Sequence, residues 1–237
     1  MNKPVCIIIT NEFGEKDFIH LKKSEFKLFY FPMIKTISEN FLINIDDFEF
    51  ILFTSKNGVR YFIDSNNNID ALKSKKIICL GTKTEELLNE YNLKSYFTSP
   101  KNYSKVMLEE IIKRGFINGK KILLVQGNLA SDELLNGFKE VSKVKRINCY
   151  RTQINETKNS ELERILNVYN SYCVFTSPSC FQAFSINYDP YLTNIVSIGS
   201  TTTKFIEKVG YKAKMTSKMQ TYDALSETVL SYLRLKL

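Results

Sequence analysis

ICLGTKTEELLNEYNLKSYFTS, residues 78–99, has a counterpart in VSIGSTTTKFIEKVGYKAKMTS, residues 196–217. Each reads as a short apolar strand, a glycine, a helix led by Thr or Ser, and a second strand ending in Thr-Ser. Upstream lies a further matching pair, FTSKNGVRYF (53–62) and FTSPSCFQAF (175–184). Downstream, each copy continues into a helix led by tyrosine, at Tyr103 and Tyr222. One such likeness arises by chance, but three in the same order point to duplication. The chain therefore reads as two similar lobes. Two long, alternating, more polar runs, KLFYFPMIKTIS (27–38) and VKRINCYRTQIN (144–155), flank the inner copy. They are read as crossing strands that carry the chain out of one lobe and back. The expected layout is an outer lobe of 1–36 plus 154–237, an inserted lobe of 37–153, and linker strands at about 30–38 and 145–153.

The rest of the chain keeps the same rhythm. VCIIIT (5–10), EFILFTS (49–55), KIICLG (76–81), KSYFTS (94–99), KILLVQG (121–127), YCVFTS (172–177), NIVSIGS (194–200) and KAKMTS (212–217) are short and almost continuously apolar. Strands buried on both faces of a parallel sheet read this way. TKTEELLNEYN, YSKVMLEEIIKRG, SDELLNGFKEV, SELERILNVYN and TYDALSETVLSYL place apolar residues at helical spacing between them. Alternating strand and helix predicts an α/β fold with parallel sheets.

Composition narrows the function classes. The 237 residues are 43% hydrophobic, enough to build a core rather than a disordered chain. No apolar run approaches the roughly 18 residues of a membrane span, and the polar turn after VCIII does not suit a secretory signal. Five cysteines without a CxxC pair fit reduced thiols in a cytoplasmic protein, buried as small hydrophobes. The one histidine, His20, sits in the polar run KDFIHLKK and is read as a surface residue. A multi-histidine metal site is excluded, and the cysteine spacing does not suit zinc. No metal or cofactor is expected; GxGxxG and Walker A loops are both missing. The net charge of +8 suits a polyanionic partner, but its lysines and arginines are dispersed and carry no nucleic-acid motif. Neither nucleic acid nor membrane is expected as a partner; a small-molecule substrate and a monomer are.

In open parallel sheets, ligands bind beyond the carboxyl ends of the strands. That edge carries Thr10 and Asn11; Thr54, Ser55, Lys56 and Asn57; Gly81, Thr82, Lys83 and Thr84; and Gln126, Gly127 and Asn128. In the outer lobe it carries Thr176, Ser177 and Ser179, then Ser200, Thr201 and Thr202, and Tyr103 leads the neighbouring helix of the inner lobe. Hydroxyls, amides and helix N-termini together suit an anion-binding cleft. For any single residue the competing reading is an ordinary N-cap, Thr201 included.

These motifs resemble the uroporphyrinogen-III synthase family. The likeness is carried by FTSKNGV (53–59), QGN (126–128), INCYRT (147–152), FTSPS (175–179), IGSTTTKFIEKVGY (198–211) and the closing helix after Thr221. It covers nearly the whole chain in order. It implies two flavodoxin-like lobes joined by a two-stranded linker, one inserted in the other. It also implies a cofactor-free lyase of tetrapyrrole (haem) biosynthesis that closes hydroxymethylbilane, a linear tetrapyrrole with eight carboxylates, into uroporphyrinogen III with ring D inverted. Carried over by position, Tyr150 matches the family's interlobe tyrosine and becomes the candidate general acid; a packed aromatic on the linker strand is the alternative. Ser55, Asn57, Thr82, Asn128, Ser177, Ser179, Thr201 and Thr202 become substrate contacts, with Thr10, Tyr103, Gly127 and Ser200 along the same edge. Asn11 stands where the family often has arginine, and Ser200 where it usually has proline. Two other readings stay open: a non-catalytic two-lobed binder of a small anion, and a basic nucleic-acid-associated protein.

Overall fold

The most apolar runs form the centre of each sheet, because a strand with helices on both faces has no wet side to present. Ile7, Ile8 and Ile9 have no exposed surface, and neither do Leu123, Leu124 and Val125. The structure, a computed structural model, describes residues 3–12, 17–65 and 69–236. Its strands are β1 (Val5–Ile9), β2 (Lys27–Tyr30), β3 (Ile34–Ser38), β4 (Phe50–Phe53), β5 (Lys76–Cys79) and β6 (Ser95–Thr98). They continue with β7 (Lys121–Gly127), β8 (Lys143–Ile154), β9 (Asn170–Phe175), β10 (Asn194–Ser197) and β11 (Met215–Thr216). The helices are α1 (Ile19–Lys22), α2 (Lys56–Ser65), α3 (Ile69–Lys73), α4 (Thr82–Glu90) and α5 (Ser104–Arg114). After them come α6 (Glu133–Lys139), α7 (Ser160–Val168), α8 (Pro178–Asn187), α9 (Ser200–Lys208) and α10 (Tyr222–Arg234).

The fold is α/β with two mostly parallel sheets. The chain divides into two compact units, a split one that runs to Lys35 and resumes at Gln153, and a continuous one, Thr36–Thr152. The sheet of the split unit has the order β11-β10-β9-β1-β2. All of its pairings are parallel, with Ile8 beside Phe29 on one side and Cys173 on the other. The other sheet has the order β3-β8-β7-β4-β5-β6. There β4 lies parallel to both β5 and β7, with Leu52 beside Ile78 and Leu124.

Each sheet buries both faces. In the split unit, Cys6, Ile8, Cys173 and Phe175 pack on Leu162 and Ile165 of α7, Phe181 and Phe184 of α8 and Ile206 of α9. Ile7, Ile9, Val174 and Val196 pack on Leu225, Val229 and Leu233 of α10. In the continuous unit, Ile51, Phe53, Leu123 and Val125 pack on Val59 and Phe62 of α2 and Leu88 of α4. Phe50, Leu52, Ile122 and Leu124 pack on Met107 and Ile111 of α5 and Leu134 and Phe138 of α6. All five cysteines are free and buried. Burial pushes the Cys6, Cys79, Cys149 and Cys173 thiols up to about 12, so they stay protonated and serve as packing.

Two expected strands are corrected. The run 27–38 is two strands, not one linker. Residues 27–30 join the split unit's sheet beside β1, and residues 34–38 form β3, beside β8 in the other sheet. Pro32 lies between them and has no N–H to offer a ladder. The last expected strand, 212–217, shrinks to Met215–Thr216. His20, in α1, is exposed as expected, and its Nε2 lies 3.9 Å from Asp223 Oδ1.

Candidate active site

At the carboxyl edge of the continuous unit, a break in register creates a polar cluster. β7 and β8 run in step from Lys121 beside Lys143 to Gln126 beside Asn148, and then Gly127 pairs with Tyr150. The extra residue, Cys149, is a bulge that turns inward, its Sγ 3.5 Å from the Gly58 carbonyl and 3.6 Å from that of Gln126. Tyr150 is thereby laid over Gly127. A Cβ on residue 127 would come within 2.4 Å of Tyr150 Cζ, so glycine is required for this approach. The Tyr150 hydroxyl lies 3.2 Å from Ser55 Oγ, just beyond β4. Ser55 Oγ also accepts the Gly58 N–H at 3.0 Å, fastening the first turn of α2. Asn128, next to the bulge, accepts the Thr152 N–H on its Oδ1 at 2.8 Å, and its own N–H bonds the Tyr150 carbonyl. Burial raises the Tyr150 phenol above its ordinary value of 10.0, against a smaller lowering by the Ser55 hydrogen bond. The phenol is therefore protonated throughout the neutral range, as a proton donor must be.

The split unit builds the matching edge differently. Ser177 Oγ, beyond β9, accepts the Cys180 N–H at 3.2 Å and lies 2.9 Å from Ser179 Oγ. The N-cap reading thus holds for Ser55 and Ser177. It does not hold for the first turns of α4 and α9, whose caps are Gly81 and Gly199 with no side-chain cap bond. Thr82, Ser200 and Thr201 are exposed there, and their side chains make no hydrogen bond to another described residue. Thr201 is therefore not a cap. Tyr103, at 42% exposed, precedes α5, and Asn57 is half-buried in the first turn of α2.

Two expected contacts turn inward. Thr10 is fully buried, and its hydroxyl donates to the Val174 carbonyl at 2.7 Å, across the sheet. Thr202 is 2% exposed. Both share a face with core residues, Thr10 with Ile8 on alternate strand positions and Thr202 with Ile206 one helical turn on, a signal readable in the sequence. Asn11, 6% exposed, is likewise turned into the protein and donates to the Glu12 carbonyl at 2.6 Å. Sequence reasoning missed Tyr61 of α2, whose ring stacks on Tyr150 with centroids 5.6 Å apart. No local pattern marks that residue, because the bulge two strands away decides what it meets.

The family model for uroporphyrinogen-III synthase HemD matches residues 19–227. The chain belongs to that family. A relative described as a porphyrin biosynthesis protein HemD, from Ruminiclostridium josui, is 31% identical over 196 residues, 79% of this chain. The aligned part is 38% of that protein's length, so the chain spans well under half of this relative. Among solved structures, the uroporphyrinogen-III synthetase of Helicobacter pylori 26695 superposes with a TM-score of 0.72 at 19% identity, covering 98% of this chain and 100% of that one. A mutant uroporphyrinogen III synthase of Thermus thermophilus gives 0.63 at 16% identity, over 97% and 98%. At these identities the superpositions establish the fold alone. Membership in the HemD family places the chain among proteins of porphyrin biosynthesis. Tyr150, Ser55, Gly127 and both hydroxyl edges fall inside the matched stretch; Thr10 falls outside it. Among the described residues, no helix is long and apolar enough to cross a membrane.

Proposed function

We propose that the chain is a uroporphyrinogen-III synthase, a lyase that takes hydroxymethylbilane and closes it with ring D inverted. The observation that carries this reading is the family match over residues 19–227 together with a protonated phenol, Tyr150, laid over Gly127 and in contact with Ser55 within that stretch. The bilane gives up its terminal hydroxyl readily, leaving an azafulvene cation, and it can close unaided without inversion. The protein's task is to steer. It has to hold the chain so that the substituted carbon of ring D attacks, giving a spiro intermediate that fragments and recloses. Such work needs positioning and fixed dipoles more than strong acids or metals.

The residues divide between two tasks. Tyr150 donates its proton to the departing hydroxyl, which leaves as water. Ser55 then donates into the phenolate that develops, since its oxygen already accepts the Gly58 N–H and its own proton is free. The unpaired hydroxyls of Thr82, Ser200 and Thr201, at the starts of α4 and α9, receive acetate and propionate arms alongside backbone N–H groups. Asn57, Asn128, Ser179 and Tyr103 extend those edges.

Incubation with enzymatically generated hydroxymethylbilane tests the reading. The expected product is uroporphyrinogen III, above the background of unaided closure. If the product stays isomer I, the reading is wrong, and a small-anion binder takes its place. Because the Tyr150 phenol is raised above 10.0, the isomer ratio should stay level from about pH 7 to pH 9.

A further inference from the structure

Ser55 and Gly127 do not by themselves fix the Tyr150 ring. Glycine permits close approach but has no side chain to stop sideways rotation, and a single hydroxyl contact of 3.2 Å is a weak tether. Core packing holds one side of the ring, and a further restraint comes from Tyr61. The two rings stack with centroids 5.6 Å apart and planes 22° from parallel. Tyr61 is itself anchored at its far end, where its hydroxyl donates to the Thr36 carbonyl at 2.7 Å and lies 3.0 Å from Thr36 Oγ1. In both contacts the Tyr61 hydroxyl is the donor, so the far end of the ring is held on Thr36 alone. Thr36 lies on β3, which pairs with β8, the strand that bears Tyr150. The order Ser55, Tyr150, Tyr61, Thr36 is thus a closed brace: both ends are backbone-anchored, and the ring that faces the chemistry is in the middle.

We propose that Tyr61 is a positioning residue for Tyr150, fixing the plane of its ring and hence the direction in which its hydroxyl points. This rests on the reading of Tyr150 as the proton donor. Tyr61 touches no reacting atom; it acts only through the ring it stacks on. Removing the stack lets the phenol sample other directions, and a small misplacement of a catalytic group is costly. Removing only the Tyr61 hydroxyl keeps the ring contact and loosens its anchor.

The test is a double-mutant cycle read as the rate of isomer III formation, with KM and thermal unfolding measured for each variant. Tyr61→Leu should lower kcat about tenfold with KM unchanged. Tyr61→Phe should lower it only about two- to threefold, a partial rescue by the retained ring. On a Tyr150→Phe background, Tyr61→Leu should cause no further loss, because there is no phenol left to aim. Additive losses overturn this inference alone, as does a wild-type rate for Tyr61→Leu while Tyr150→Phe is impaired. A wild-type rate for Tyr150→Phe overturns the phenol reading, and this inference with it. If Tyr61→Leu unfolds, Tyr61→Phe and Thr36→Val carry the same cycle, since both keep the aromatic packing.

Discussion

The two units reach one arrangement of strands by different routes. Across the split unit's sheet the order is β2, β1, β9, β10, β11; across the other, leaving aside β3, it is β8, β7, β4, β5, β6. The duplicated sequences sit at corresponding places. FTSPSCFQAF follows β9 where FTSKNGVRYF follows β4, and VSIG and ICLG end on β10 and β5. With β3 set aside, the chain enters one sheet at β1 and the other at β4, so the five shared strands of the two units are related by circular permutation. Packing on both faces of a parallel sheet depends on which strands are neighbours, not on where the chain begins, and the core is preserved under the permutation.

The edges have diverged where the core has not. Ser55 and Ser177 follow the same Phe-Thr pair and cap the same kind of helix. Ser177 turns to Ser179, while Ser55 is met by Tyr150. The strand that corresponds to β8 is β2, and the residues that follow it, Phe31 to Ile34, include no tyrosine. Both edges keep unpaired hydroxyls at the starts of α4 and α9, and both carry a phenol: Tyr150 meets the capping serine of its own edge, whereas Tyr222 leads α10 in the split unit and burial pushes its phenol up to about 12. Under the function proposed above, proton transfer is a task of the continuous unit, where the phenol meets a capping serine.

The largest effect that would sharpen this comparison comes from Gly127→Ala. Its new methyl would collide with the Tyr150 ring, and isomer III formation should fall about 100-fold with the fold intact. An active, well-folded Gly127→Ala would show that the ring need not lie where it does. Next, Thr82→Val and Thr201→Val probe the shared task. Each should raise KM about fivefold, the worth of one hydrogen bond, with kcat and melting temperature unchanged, since neither residue is a cap. A strong effect in only one would break the symmetry of binding. Thr10→Val should do the reverse, costing about 1 kcal/mol of stability and leaving KM alone, because its hydroxyl is spent on Val174. A raised KM would return Thr10 to the substrate contacts.

The smallest effect concerns acid stability. Hydrogen bonding to Arg234 holds Glu25 of the split unit down to about 2, and Lys120 lowers Glu49 of the continuous unit. A folded value below the unfolded one stabilises above the ordinary carboxylate range and is lost as pH falls through the folded value. The melting difference between wild type and Glu25→Gln should therefore be present at neutral pH and disappear as pH approaches 2. Both groups are exposed, so the effect is slight; a difference that grew toward acid would reverse the sign argued here.

Much of this was legible in the sequence for a physical reason. Strands buried on both faces are apolar without interruption, so β1, β4, β7 and β9 stand out, and Ser55 and Ser177 sit where an N-cap is needed. The cluster at Tyr150 was only half legible. Its position could be carried over by resemblance, but the bulge at Cys149 and the stack on Tyr61 depend on register between strands, which no local pattern records. The split of 27–38 turned on Pro32, whose effect depends on whether a neighbouring strand needs its missing N–H.

Tyr150→Phe puts the asymmetry to its most direct test. With freshly generated bilane and matched melting temperatures, the rate of isomer III formation should drop at least about 100-fold, while the affinity for the substrate holds. A variant that makes isomer III as fast as the wild type would contradict the account, leaving the phenol a packed ring and the two edges equivalent in kind.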